Sequence, residues 1–138
     1  MIGVGKESEI YEALGFGVVV LKLHKIGQRS FQTVRTNREY MPEKTHCPWI
    51  FASAKSAERE YEALKALNGK VNVPVPIDMN RHVIVMSFIP GVNLHRCRLE
   101  DPDKIWQEIL SQVKSAYDAG FIHGDLSEYN IMYDDTVV

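Results

Sequence analysis

FIHGDLSEYNIMYDD, residues Phe121–Asp135, packs His123, Asp125 and Asn130 into one polar stretch ahead of a short apolar run. Asp125 and Asn130 stand five residues apart. On a tight loop, that spacing offers a carboxylate that can orient a hydroxyl and accept its proton. It also offers an amide oxygen that can hold a metal ion at a set distance. The same residues also suit an Asx-rich turn with His123 packed structurally. The rest of the chain has to decide between these readings.

Working back from this stretch, EDPDKIWQEILSQVKSAYDAG reads as a helix. Asp101 can cap it, Pro102 suits its first position and Gly120 can end it. Ile105, Ile109, Val113 and Ala116 form the expected inner stripe. A linker containing Pro90 and Gly91 precedes it. Before that come RHVIVMSFI, a strand, and VNVPVPIDMN, held extended by Pro74 and Pro76. SAKSAEREYEALKALNG reads as a second helix, with Ala57, Tyr61, Leu64 and Leu67 on one face and Gly69 at its end. Residues 27–50 show no sustained period and carry a basic excess, including Arg29, Arg35 and Arg38. They are expected to form a long basic loop, with a short helix near Phe31–Tyr40. VVVLKL, residues 18–23, is a β-branched strand interrupted by Lys22. The opening MIGVGKESEIYEALG predicts a strand, a turn over Gly3–Gly5, a returning strand and a hairpin at Gly15 and Gly17. After the polar loop, NIMY predicts a strand, Asp134–Asp135 a turn, and Thr136–Val138 the start of a return strand.

The 138 residues suit one modest domain, and 18 acidic against 16 basic side chains leave a formal charge of -2. That composition reads as soluble and globular rather than disordered or fibrous. No apolar run approaches the roughly 20 residues that span a bilayer, and the start shows no secretory signal. Cys47 and Cys97 lie far apart with no metal-ligand spacing and are expected to be reduced thiols.

Three other features carry chemistry. Gly3 and Gly5 in GVGKES can let backbone amides approach a phosphate, although a plain β-turn reads the same way and the pattern is no Walker motif. Lys22 is a charge within an apolar strand, either turned to solvent or meeting phosphate oxygens and a carboxylate. Glu60 can supply that carboxylate from the middle of the helix, with Glu58 and Glu62 as competitors. A glycine turn, a strand lysine, a helix glutamate, a linking strand and a D-x-x-x-x-N loop follow one another in the chain order of protein kinases.

GVGKESEIY, LKLHKIGQRSF, SAEREYEALKAL, PVPIDMNRHVIVM and HGDLSEYNIMY together resemble the RIO family of atypical protein kinases, its type-two group best. The resemblance covers nearly the whole chain. It implies an α+β, protein-kinase-like fold: a small lobe over residues 1–89 and the opening of a helical large lobe over 90–138. It further implies ATP and magnesium as cofactors. Gly3, Gly5, Lys6, Glu7 and Ser8 would form the phosphate loop, and Lys22 would meet the α- and β-phosphates with Glu60 as its partner. Met86, Ser87 and Ile89 would hold adenine at a hinge. Asp125 would be the catalytic aspartate and Asn130 a magnesium ligand. Gly124 stands where ordinary kinases have arginine, and Ser127 where they have a catalytic-loop lysine.

The resemblance also places a second metal-binding aspartate beyond Val138 and a winged-helix domain ahead of the kinase domain. The chain is therefore expected to be a fragment, inactive or nearly so by itself. The implied setting is a cytoplasmic serine/threonine kinase or ATPase acting on a protein or on itself, in maturation of the small ribosomal subunit and away from membranes. Two alternatives stand beside it. One is a small-molecule phosphotransferase of the aminoglycoside kinase kind. The other is a non-catalytic module binding pre-ribosomal RNA through the 27–50 loop.

Overall fold

The computed structural model describes residues 1–15, 17–25 and 49–134; for Trp49 and Ile50 it describes only the helical backbone. The chain divides into two compact units. One comprises Met1–Glu62 with Pro76–Phe88, the other Ala63–Val75 with Ile89–Val138.

The first unit is a five-stranded antiparallel sheet with a helix. Strands β1 (Gly3–Val4), β2 (Ser8–Leu14), β3 (Val18–His24), β4 (Pro76–Asn80) and β5 (Val83–Ser87) lie in the order β1-β2-β3-β5-β4. The β-branched run of β3 sits centrally, flanked by β2 and β5, as its apolar content requires. Alternation puts Val20, Lys22 and His24 on one face of β3. Across the ladder to β5, Val20 faces Met86 and Lys22 faces Ile84. Val20, Ile84 and Met86 are buried. Helix α1 (Trp49–Leu67) contributes Ala52, Ser53 and Ala57, also buried.

Two expectations change here. The first turn lies at Gly5–Ser8, closed by Gly5 N donating to Ser8 O at 2.8 Å, while Gly3 pairs with Ile10 inside β1. The reason is register: Ile2 N also donates to Ile10 O, so the ladder runs through Gly3 before the chain turns. Helix α1 begins at Trp49, so the last two residues of the expected 27–50 loop are helical. Its first turns bury Ala52 and Ser53, small residues that leave little hydropathy signal. The remainder of that loop, the helix expected near Phe31–Tyr40, Cys47 and the return strand at Thr136–Val138 lie outside the described residues.

The second unit is built on α2 (Pro102–Asp118). Asp101 caps it, accepting from Lys104 N at 3.1 Å, and Pro102 opens it. Its inner stripe runs through Ile105, Ile109, Gln112 and Ala116; Gln112 stands in place of the expected Val113, one residue further on, which is exposed. Val113 belongs with Trp106, Leu110 and Tyr117 on a solvent-facing stripe. Gln112 takes its place because its side-chain oxygen accepts from Asn72 N at 2.8 Å, so a polar residue holds Ala63–Val75 against α2. The linker contains structure of its own: β6 (Val92–Asn93) and a 3-10 turn at Leu94–Arg96. Strand β6 pairs antiparallel with β7 (Met132–Tyr133), which is shorter than the NIMY run suggested. Buried Ile105 and Ile131 form the core, with Leu94, Leu99, Ile109 and Tyr133 packed on it.

Gly91 marks the tightest approach in this unit. A β-carbon there would stand 2.8 Å from Tyr133 O and 3.0 Å from its carbonyl carbon. Backbone cannot yield as a flexible side chain does, so Gly91→Ala should destabilise the β6–β7 pair by about 1–3 kcal/mol. Gly15 has open space around it, and Gly15→Ala should stay within about 0.5 kcal/mol of the parent. Hydrogen exchange of the β6 and β7 amides checks this, with faster exchange expected in the first variant only.

Candidate functional site

The first unit carries a charged cluster on the sheet face under α1. Lys22 Nζ donates to Glu60 Oε1 at 2.6 Å. Of the three candidate glutamates, Glu60 is therefore the partner; Glu58 instead meets Lys55. The Lys22 and Glu60 side chains are 24% and 30% exposed, so the pair is neither sealed nor fully wet. The other carboxylate oxygen, Oε2, lies 3.3 Å from Nε2 of buried His24. Burial pushes the Glu60 carboxyl up, but His24 and Lys22 together outweigh it and bring its pKa down to about 2.

The glycine turn is tied to the far end of β3. Lys25 Nζ donates to Gly5 O at 2.8 Å and lies 3.7 Å from Glu9 Oε1, and Lys25 N donates to Glu7 O at 2.8 Å. Tyr11 donates its hydroxyl to Glu9 Oε2 at 2.9 Å, and that bond, with the charge of Glu9, raises the phenol pKa. Gly5, Lys6 and Glu7 are exposed and Ser8 half-buried. A β-carbon at Gly3 or Gly5 would meet nothing closer than 3.6 Å, an ordinary contact. Among the described residues there is thus room for a side chain at both positions. Met86 is buried and Ser87 half-buried at the end of β5, and Ile89 follows in the second unit.

In the second unit the polar loop is held by its own backbone. Asn130 Nδ2 donates to Asp125 O at 2.6 Å, and Asn130 N donates to Ser127 O at 2.9 Å. A carbonyl only accepts, so the Asn130 nitrogen faces inward and its oxygen is left for another partner. Gly124 has φ 77, a conformation costly for a side chain at the bend before Asp125. Asp125 N donates to His123 Nδ1 at 3.3 Å. Both Asp125 and Asn130 are exposed. The loop is fastened from behind by Leu94 N to Ile131 O at 2.9 Å, His95 N to Glu128 O at 3.1 Å and Asn93 Nδ2 to Tyr129 O at 2.8 Å. The His95 and Tyr129 rings also pack together, tilted by 37° with centroids 4.6 Å apart.

The donor chemistry suits magnesium, a hard cation that takes oxygen ligands and keeps several waters. Asn130 presents an amide oxygen. Among the described residues no group of three or more His, Cys, Asp or Glu side chains is assembled.

Two residues of these clusters escaped the sequence reading, His24 and Lys25. Both sit in the quoted LKLHK run. Strand alternation alone places His24 on the face of Lys22, and that was the available signal.

A sheet with one helix carrying a Lys–Glu pair, and a helical unit presenting an Asp–Asn loop, define a protein-kinase-like fold. A family model described as the RIO domain matches residues 9–138, and the chain belongs to that family. It is 41% identical to the RIO-type serine/threonine-protein kinase Rio2 of Methanocaldococcus jannaschii, covering 97% of this chain and 53% of that protein. It is 35% identical to serine/threonine-protein kinase RIO2 of Saccharomyces cerevisiae, covering 97% of this chain and 33% of that protein. A solved Rio2 kinase–ADP/Mg2+–phosphoaspartate complex from Chaetomium thermophilum superposes with a TM-score of 0.76 at 35% identity, over 96% of this chain and 40% of that one. The chain thus spans about half or less of the length of these relatives.

The lowered Glu60 pKa makes a stability statement. A carboxylate depressed from 4.5 to about 2 on folding contributes stability that is complete above about pH 4.5. It is lost as pH falls through about 2. With the side chain still partly in water, the contribution is about 1–2 kcal/mol rather than the full linkage value. Denaturant midpoints measured from pH 6 to pH 2 should fall less steeply for Glu60→Gln than for the parent.

Proposed function

We propose that this chain contributes the nucleotide site and the catalytic loop of an ATP- and magnesium-dependent RIO-type serine/threonine protein kinase or ATPase. In this reading residues 1–89, with the basic 27–50 segment, act as a small lobe and 90–138 open the large lobe. The observation that carries it is the Lys22–Glu60 pair at 2.6 Å. A carboxylate spent on holding a strand lysine leaves the remaining ammonium protons for phosphate oxygens.

The roles follow residue by residue. Lys22 binds α- and β-phosphate oxygens and Glu60 holds it in place. Gly3, Gly5, Lys6, Glu7 and Ser8 line the phosphates with backbone amides and the Ser8 hydroxyl. Met86, Ser87 and Ile89 take the adenine through backbone groups. Asp125 orients the attacking hydroxyl or water and accepts its proton as the γ-phosphoryl group moves in line. Asn130 ligates magnesium, which when bound neutralises charge on the phosphates.

The RIO domain match favours this reading over an aminoglycoside-type phosphotransferase. Action on a protein substrate or on itself, a role in small ribosomal subunit maturation and a cytoplasmic setting extend the same proposal and rest on the resemblance. No described helix is long and apolar enough to cross a membrane.

Calorimetry of ATP binding with and without magnesium tests the reading. Lys22→Ala should weaken binding at least about tenfold, the scale of a lost charge-assisted hydrogen bond. Equal affinity in parent and variant would sink it. Gly5→Ala should leave the urea midpoint unchanged, since its β-carbon meets Ser8 O only at 3.6 Å. Its ATP affinity should nonetheless fall several-fold.

A further inference from the structure

We propose that His24 is a positioning residue for the phosphate-binding lysine. Its Nε2–H holds the second oxygen of Glu60, so that the first oxygen stays on Lys22. The inference rests on the nucleotide role of Lys22 and adds a third member to the pair.

Four observations on one strand face carry it. His24 is two residues beyond Lys22 on β3, so both side chains leave the same face. The imidazole is 5% exposed, buried more deeply than the two charges it accompanies. Its Nε2 is enclosed with no well-aligned hydrogen bond, and Glu60 Oε2 lies 3.3 Å away. Glu60 is ionised at neutral pH and can only accept, so the ring nitrogen facing it carries the proton.

A buried N–H left without a partner costs about 1–3 kcal/mol. A small rotation of either side chain closes the 3.3 Å contact into a bond. The neighbouring His82 accepts from His24 N at 2.8 Å through its backbone, while its own buried Nδ1 has no hydrogen-bond partner among the described residues; of the groups near His24 Nε2, the Glu60 carboxylate is the charged acceptor, 3.3 Å away.

The consequence is geometric. A glutamate held at one oxygen by a flexible lysine can swing about its terminal torsion, which is broad and two-fold. Held at both oxygens, by a mobile ammonium on one side and a ring fixed in a buried strand on the other, it cannot. Lys22 then stands pre-positioned for phosphate before nucleotide arrives.

A structural role would weaken all ligands alike, whereas a positioning role acts only on phosphate. Calorimetry with magnesium-ATP and with adenosine on the full chain separates the two. His24→Leu and His24→Asn, which remove the donor or shorten its reach, should each lose about five- to tenfold in ATP affinity and leave adenosine affinity unchanged. His24→Gln places a donor near the Nε2 position and should stay within about twofold of the parent. In a Glu60→Gln background, His24→Leu should cost nothing further.

Parallel losses for ATP and adenosine, a Gln variant as poor as Asn, or full additivity with Glu60→Gln would each overturn the proposal. Should the Leu variant not fold, the Asn and Gln variants decide. A Lys22→Ala chain that binds ATP as the parent does would instead remove the nucleotide reading beneath it.

Discussion

One carboxylate organises the first unit. Glu60 is carried on α1 and reaches the sheet face between Lys22 and His24. A half-buried charge survives only where its partners return the lost hydration, and here a lysine and an imidazole do so together. That requirement constrains the helix. The carboxylate stands 2.6 Å from a strand lysine, and α1 offers small residues, Ala52, Ser53 and Ala57, to the buried side. Larger residues at those positions would lift the helix and lengthen the ion pair. Packing and electrostatics thus set the same distance.

The second unit solves its positioning problem differently. Asp125 and Asn130 are exposed, and among the described residues no buried charge is paired with them. Instead the backbone is fastened: Asn130 ties down the carbonyl of Asp125, and Ile131 anchors the loop's end in the core beside Ile105. The 3-10 turn at Leu94–Arg96 and β6 supply further bonds from behind. A side chain that must meet solvent-borne reactants cannot be held by burial, so its main chain is held instead. In the first unit the charged groups are themselves the fastening.

Much of this was legible in the sequence, for identifiable reasons. The strand of Val18–His24, the capped helix from Pro102 and the Asp125–Asn130 loop follow from β-branching, capping chemistry and Asx spacing, each a local effect. Its mid-helix place and the resemblance favour Glu60 over Glu58 and Glu62, and its pairing with Lys22 agrees; spacing alone leaves the three open, because the choice depends on where α1 crosses β3. The missed start of α1 and the Gln112 position share one cause: small or polar residues fill buried places where hydropathy expects apolar ones. Strand β6 was missed because two residues between a proline–glycine pair and a turn carry no period at all. Lys25 was missed because its partner is a backbone carbonyl, a group no sequence pattern names.

The glycines separate what the fold needs from what a ligand needs. Gly91 is required by the chain itself, because the Tyr133 backbone occupies the space a side chain would take. Gly124 is required by its backbone angle. Gly3 and Gly5 answer to neither demand: their backbone angles are ordinary and their surroundings admit a β-carbon. Gly5 lies on a turn whose carbonyl is fixed by Lys25, so there the backbone is held while space for a side chain remains. The turn is closed by Gly5 N on Ser8 O and tethered by the Lys25 ammonium on Gly5 O, so its shape is set by backbone and by one strand lysine together.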